Sequence, residues 1–240
     1  MLKLKSLSIV ENMDTLKALP KGKVLINTIN AYSYNMAQND KLFAEALENG
    51  DALIPDGASI VKACKWLDAL SKPTERIAGW DLFMMEMKRL NAHGGECFFM
   101  GSSEKVLELI KRRCATDFPK IVVETFSPPY KARFSEEDNR KMIEVVNRAK
   151  PDLLWIGMTA PKQEKWTYQH WNELNINCHT GTIGAVFDFF AGTVHRAPLA
   201  WQKNGLEWLY RLLREPKRMW KRYILGNIQF LWLISKEKFT

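Results

Sequence analysis

The sequence predicts an α/β protein: a mostly parallel, Rossmann-like sheet with helices on both faces, followed by a C-terminal helical appendage. Three observations predict it. Short aliphatic or β-branched runs recur along the chain, helical patterns of a dozen residues or more separate them, and no repeat, low-complexity tract or interdomain linker intervenes. Strands buried on both faces read as continuous apolar runs. Strand–helix alternation marks a parallel sheet, because a parallel crossover needs a long connection.

The elements follow in order. Val24–Thr28 is the first strand-like run, and a helical pattern extends over Ala31–Glu48. Ala52–Pro55 is the second strand, succeeded by helical periodicity over Ser59–Leu70 and Trp80–His93. Glu96–Met100 and Ile121–Thr125 are the third and fourth strands, each followed by a helix, Ser103–Thr116 and Glu136–Ala149. Asp152–Ile156 precedes a helix over Lys162–Asn175, and Asn177–Thr180 is the sixth strand. After Gly192 the character changes. Pro198 opens a short helix, and Gly205–Arg214 is amphipathic through Leu206, Leu209, Leu212 and Leu213. Pro216 breaks or restarts it, since proline lacks the N–H that an interior turn requires, and Arg218–Ile234 reads as the last helix. The expected organisation is a body, 1–195, and a basic, tryptophan-rich appendage, 196–240, removable without unfolding the body.

Composition bounds the function. With 240 residues, 46% apolar and 26% charged, the chain is long and apolar enough to bury a sizeable core. Its longest apolar runs fall far short of the roughly 20 residues that span a bilayer. Met1-Leu2-Lys3-Leu4-Lys5 lacks the apolar centre of a signal peptide, which gives a cytoplasmic expectation. Cys64, Cys97, Cys114 and Cys178 form no C-x-x-C pair, and His93, His170, His179 and His195 are equally scattered. No metal site or disulfide framework is expected; reduced, buried thiols are. The net charge of +8 is concentrated: ten Lys or Arg and three Glu lie between Arg196 and Thr240, leaving about +1 for the remainder. Four of nine tryptophans, Trp201, Trp208, Trp220 and Trp232, share that tail, which points to an anionic surface or ligand. Nucleic acid is disfavoured, because no RRM or zinc signature accompanies the charge. A nicotinamide oxidoreductase lacks its G-x-G-x-x-G after the first strand.

Ligands of open parallel sheets bind outside the carboxyl ends of the strands, so the polar residues just beyond each strand are the candidates. They are Thr28 and Asn30, then Asp56-Gly57, Gly101-Ser102-Ser103, Gly157 to Glu164, and Gly181 to Gly184 with Asp188. Asp56 stands equally as a helix N-cap or as a base that takes a proton from a substrate hydroxyl. Gly101-Ser102-Ser103-Glu104 is a capped turn before it is a phosphate site. Asp188 is a sugar partner or a cap. No Asp-x-Asp pair is present to hold a nucleotide diphosphate through a divalent ion. Arg211, Arg214, Arg218 and Arg222 follow at steps of 3, 4 and 4, one helical face if the direction survives Pro216. Guanidinium forks suit diphosphate oxygens; a solvated or lipid-facing stripe is the plainer alternative.

Several unusual stretches then carry a resemblance. Ile54-Pro55-Asp56-Gly57, Arg76-Ile77-Ala78-Gly79-Trp80-Asp81, Pro161-Lys162-Gln163-Glu164, Gly184-Ala185-Val186-Phe187-Asp188, Arg196-Ala197-Pro198 and Gly205-Leu206-Glu207-Trp208-Leu209-Tyr210-Arg211-Leu212 occur in that order. Over nearly the whole chain the sequence resembles the WecG/TagA/CpsF glycosyltransferases, glycosyltransferase family 26. The resemblance implies inverting transfer of an N-acetylmannosamine-type sugar from a UDP donor to GlcNAc on undecaprenyl diphosphate, with no metal cofactor, at the cytoplasmic membrane surface. UDP-N-acetylmannosaminuronate and UDP-glucose are the alternative donors it admits. By position it makes Asp56 the general base and Thr28 an active-site threonine. It makes Arg76 and Gln163 pocket residues, and Arg211 and Arg218 arginines closing over the diphosphate. The third such arginine falls on Lys221, with Arg222 beside it. Two departures stand out: two extra residues between Asp56 and Arg76, and Ser127-Pro128-Pro129-Tyr130-Lys131-Ala132-Arg133-Phe134 in place of a Gly-Tyr-Phe pattern. Membrane entry of Trp220, Phe230 and Trp232 is the expected use of the tail, a homo-oligomer interface the competing one.

Overall fold

A computed structural model describes residues 2–203 and 205–239; the side chains of Leu199, Lys203 and Arg218 lie outside that description. In chain order the elements are α1 (Met13–Lys17), β1 (Val24–Ile29), α2 (Ala31–Ala37), α3 (Lys41–Glu48), β2 (Ala52–Pro55), α4 (Ala58–Leu67), α5 (Gly79–His93), β3 (Gly95–Gly101), α6 (Glu104–Asp117), β4 (Ile121–Phe126), α7 (Glu136–Ala149), β5 (Leu153–Gly157), α8 (Lys162–His170), β6 (His179–Thr182), α9 (Gly184–Ala191), α10 (Leu199–Lys203), α11 (Glu207–Arg214), α12 (Pro216–Trp220) and α13 (Gly226–Phe239). A π-helical turn, Lys221–Leu225, joins the last two. The strands form one parallel six-stranded sheet in the order β2-β1-β6-β5-β3-β4, as the alternation predicts.

The chain divides into two compact units. The first comprises Met1–Ala18, Thr28–Ala78 and His195–Thr240, the second Leu19–Asn27 and Gly79–Val194.

The core of the first unit gathers Leu2, Leu4 and Leu7 with Ile29, Tyr34, Phe43, Leu53, Ile60 and Leu67. Phe230, Leu233 and Ile234 of α13 complete it. Glu237 on the same helix accepts from the Leu4 and Lys5 backbone N–H at 3.1 and 2.6 Å and from the Tyr34 hydroxyl at 2.6 Å. The Tyr34 ring meets Phe230 edge-on at 5.5 Å, and the Asn35 amide donates to the Gly226 carbonyl at 2.7 Å. The last helix is therefore core, not a removable appendage. Phe230, expected at a lipid interface, is 2% exposed, whereas Trp232 is 61% exposed.

In the second unit the parallel register places Met100 beside Ile156 and Gly101 beside Gly157. Alternate residues face opposite sides, as strand geometry demands. Phe98, Met100, Leu154 and Ile156 pack with Met142 and Val146 of α7 and Trp166 of α8. Phe99 and Trp155 instead meet Phe83 of α5 at 6.2 and 5.4 Å, and Phe187 of α9 lies 5.4 Å from Phe99. Helices thus cover both faces of this part of the sheet.

Other expectations need correction. The run Ala31–Glu48 is two helices, because the Asp40 carboxylate accepts from Phe43 N–H at 3.1 Å and starts α3 afresh. The helix expected over Lys162–Asn175 ends at His170 and finishes in a 3-10 turn, Trp171–Glu173. The sixth strand is His179–Thr182, two residues later than expected. The expected helix Arg218–Ile234 is α12, the π-helical turn and α13 in succession. All four cysteines are free and buried. Burial pushes the Cys64 thiol up to about 11, and those of Cys114 and Cys178 to about 12, so they stay protonated.

Candidate active site

In the first unit β1 and β2 deliver four of the expected residues. Thr28, half-buried, is the penultimate residue of β1, and Asn30 follows that strand. The Asn30 side chain caps α2, accepting from Tyr32 and Ser33 N–H at 3.0 and 3.1 Å, while the Ser33 hydroxyl accepts from the Asn30 N–H at 2.8 Å. This reciprocal capping box occupies its amide oxygen. Asp56 leaves β2 with its N–H donating to the Ile29 carbonyl at 2.8 Å. It does not hold the N-cap position of α4, which falls on Gly57.

The Asp56 carboxylate instead accepts from Arg76 Nη2 at 3.1 Å. The same nitrogen donates to Glu207 Oε2 at 3.0 Å, and the other oxygen of Glu207 is 3.7 Å from Arg196 Nε. Glu207 opens α11, where a carboxylate also suits the helix dipole. Arg76 is thereby shared by two carboxylates in a half-buried setting. Burial works against its cation, but Asp56 and Glu207 outweigh that and hold its pKa above the ordinary value. Glu207 and Arg196 stand out in the sequence only as members of longer motifs; nothing local links Glu207 to a residue 131 positions earlier.

The helical period that would line up the arginines of the tail is interrupted. Glu215, between α11 and α12, leaves helical geometry with φ −132° and ψ 60°, so the periodicity stops there. Arg211 is half-buried in α11, and Arg214 is exposed, 5.5 Å from the Tyr210 ring. The Arg218 side chain lies outside the described residues. Arg222 stacks over the Tyr32 ring at 4.4 Å, whereas Lys221 is exposed.

The second unit holds the other expected residues. Gly101 has φ +129°, and a Cβ there would collide with the Gly157 carbonyl oxygen, so only glycine lets the β3 and β5 ends meet. Ser103 caps α6 through a bond from Val106 N–H at 3.4 Å, the plain capped turn. Asp188 lies inside α9, where its side chain accepts from the Thr193 hydroxyl at 3.2 Å just past the helix. Gln163 is buried and its amide bridges three groups: Oε1 accepts from Met158 and Gly184 N–H, both at 3.1 Å, and Nε2 donates to Glu164 at 2.9 Å. A Cβ at position 184 would stand 2.7 Å from that oxygen, which explains the glycine. Burial raises the Glu164 carboxyl from its usual 4.5 to about 7, partly offset by the bond from Gln163, and its Oε2 finds no partner. The departing segment is tied down by Ser127 donating to the Ser102 carbonyl at 2.8 Å and by the Lys162 ammonium 3.7 Å over the Phe134 ring.

The model of the glycosyl transferase WecG/TagA/CpsF family matches residues 2–240. Among curated relatives, a Bacillus spizizenii protein is 29% identical over 205 residues, 85% of this chain and 76% of its own. A Staphylococcus aureus strain MW2 protein is 27% identical over 238 residues, 97% of this chain and 88% of its own. Both carry the name N-acetylglucosaminyldiphosphoundecaprenol N-acetyl-beta-D-mannosaminyltransferase.

Proposed function

The chain belongs to the WecG/TagA/CpsF family of glycosyl transferases, and from that premise we propose that it moves N-acetylmannosamine from UDP to GlcNAc-diphospho-undecaprenol with inversion. The acceptor and sugar are supported by the names of the relatives. The observation that carries the chemistry is the Asp56–Arg76 pair at the end of β2, 3.1 Å apart.

Inversion needs one base and a stabilised leaving group, without a covalent intermediate. Asp56 accepts the acceptor hydroxyl's proton as that oxygen attacks the anomeric carbon; a weak base serves because the proton leaves late. The departing UDP gains negative charge on its diphosphate. Arg76 and the tail's Arg211, Arg218 and Arg222 are the cations available to it, and fixed guanidiniums in a water-poor site supply several kcal/mol. No divalent ion is required in this scheme, in line with a sequence that has no Asp-x-Asp pair. Thr28 and Asn30 shape the same strand end.

No helix among the described residues is long and apolar enough to cross a membrane. The proposed place of work is the cytoplasmic membrane surface, reached through the tail. Trp220, Ile224, Leu225, Ile228, Leu231 and Trp232 are all exposed, beside exposed Lys217 and Lys221. Aromatic and aliphatic side chains flanked by cations suit an anionic leaflet, where each Lys or Arg contributes about 1 kcal/mol.

The test offers UDP-N-acetylmannosamine, UDP-N-acetylmannosaminuronate and UDP-glucose with a GlcNAc-diphosphate-lipid acceptor, in EDTA. Transfer from the first is expected. Activity lost in EDTA and restored by magnesium would sink the metal-free mechanism; transfer from none would sink the donor assignment. Flotation with anionic vesicles, set against sedimentation, separates membrane docking from self-association.

A further inference from the structure

Glu207 is the one carboxylate of the ionic cluster that the scheme above leaves unused. Its Oε2 lies 3.0 Å from Arg76 Nη2 and its Oε1 lies 3.7 Å from Arg196 Nε. At 13% exposure its side chain is the driest of the four charged groups. Two guanidiniums converging on one carboxylate are also what a diphosphate takes, because carboxylate and phosphate oxygens fit the same N–H forks. Both anions cannot hold the same nitrogens.

We propose that Glu207 is an anionic placeholder, a positioning residue that keeps Arg76 and Arg196 converged and yields them to the diphosphate of the sugar donor. The identity of that donor rests on the proposed function; the competition between anions does not. Asp56, Arg76, Arg196 and Glu207 together sum to zero charge, so these four groups offer an incoming diphosphate no net attraction until the Glu207 carboxylate withdraws. Removing its charge leaves the cluster at +1 and strengthens anion binding on the order of tenfold. A merely structural Glu207 has the opposite signature. Without it Arg76 would lose one of its two anchors, and anion binding would weaken.

The experiment titrates the full chain and its Glu207→Gln and Glu207→Asp variants with UDP and with inorganic pyrophosphate, by calorimetry at low salt in EDTA. Glu207→Asp keeps a charge at the start of α11 and withdraws it by one methylene, so it reports even if Glu207→Gln folds poorly. The expected result is roughly tenfold tighter binding of both probes to Glu207→Gln, with Glu207→Asp between it and the wild type. Tighter pyrophosphate binding without any UDP binding upholds the placeholder and removes the uridine donor. Equal or weaker binding of both probes in both variants, or no binding to any of the three proteins, overturns the placeholder. If UDP binds the wild type well in that case, the donor assignment survives.

Discussion

The Asp56 cluster of the first unit and the Gln163 cluster of the second are built on opposite electrostatics. Around Asp56 every member is charged and half-buried, and Arg76 divides one nitrogen between two carboxylates. Around Gln163 the side chains are buried, and the contacts are amide to backbone or amide to carboxyl. An ionic cluster near water can exchange one anion for another at modest cost, because the partners stay solvated in part. A cluster of buried side chains cannot, since each broken bond leaves a desolvated group unpaired. The first arrangement suits binding and proton transfer. The second suits holding the turns after β5 and β6 in one shape.

The contrast breaks most visibly at Asp56. Asp56→Asn is expected to lower turnover roughly 10²–10⁴-fold while UDP still binds, measured by steady-state kinetics beside calorimetry. Wild-type turnover in that variant would move the base elsewhere. Gln163→Leu comes next. It strips the acceptor from Met158 and Gly184 N–H, and each unsatisfied buried group costs about 1–3 kcal/mol. Denaturant unfolding should show that loss, and an unchanged midpoint would deny Gln163 its pinning role.

The third prediction concerns pH and has the smallest effect. The Glu164 carboxyl is raised from 4.5 to about 7, so the folded state binds a proton that the unfolded chain has already released. Its contribution is complete below about pH 4.5 and is lost as pH climbs through 7. Glu164→Gln, an uncharged stand-in, should melt with less pH dependence across that window and exceed the wild type at pH 8. Parallel melting curves at every pH would refute a neutral Glu164.

Much of the fold is legible because local signals agree with it. Glu136–Ala149 is read to the residue, its start fixed by Ser135 and Asp138 in a capping box. Ala52–Pro55 is equally plain, an apolar run between two aspartates. The helix Gly184–Ala191 escapes notice because it is apolar on almost every side and shows no 3.6-residue period. The site is legible by residue type and not by partner. Asp56 and Arg76 stand out, but their pairing joins positions 20 apart, and Glu207 enters from 131 positions away. Gln163 illustrates the same limit, for its local string says nothing of the two backbone groups it binds. Sequence alone does not set Phe230 apart from Trp232, because Phe230-Leu231-Trp232-Leu233-Ile234 is apolar throughout, and only the docked helix separates inward from outward residues.

The hold of Glu237 on Leu4 spans 233 positions, which sets a timetable for biosynthesis. At about 5–20 residues per second the ribosome takes on the order of tens of seconds between the two. For that interval the first unit lacks the helix that completes its core, and Leu4 waits for a partner made 233 positions later.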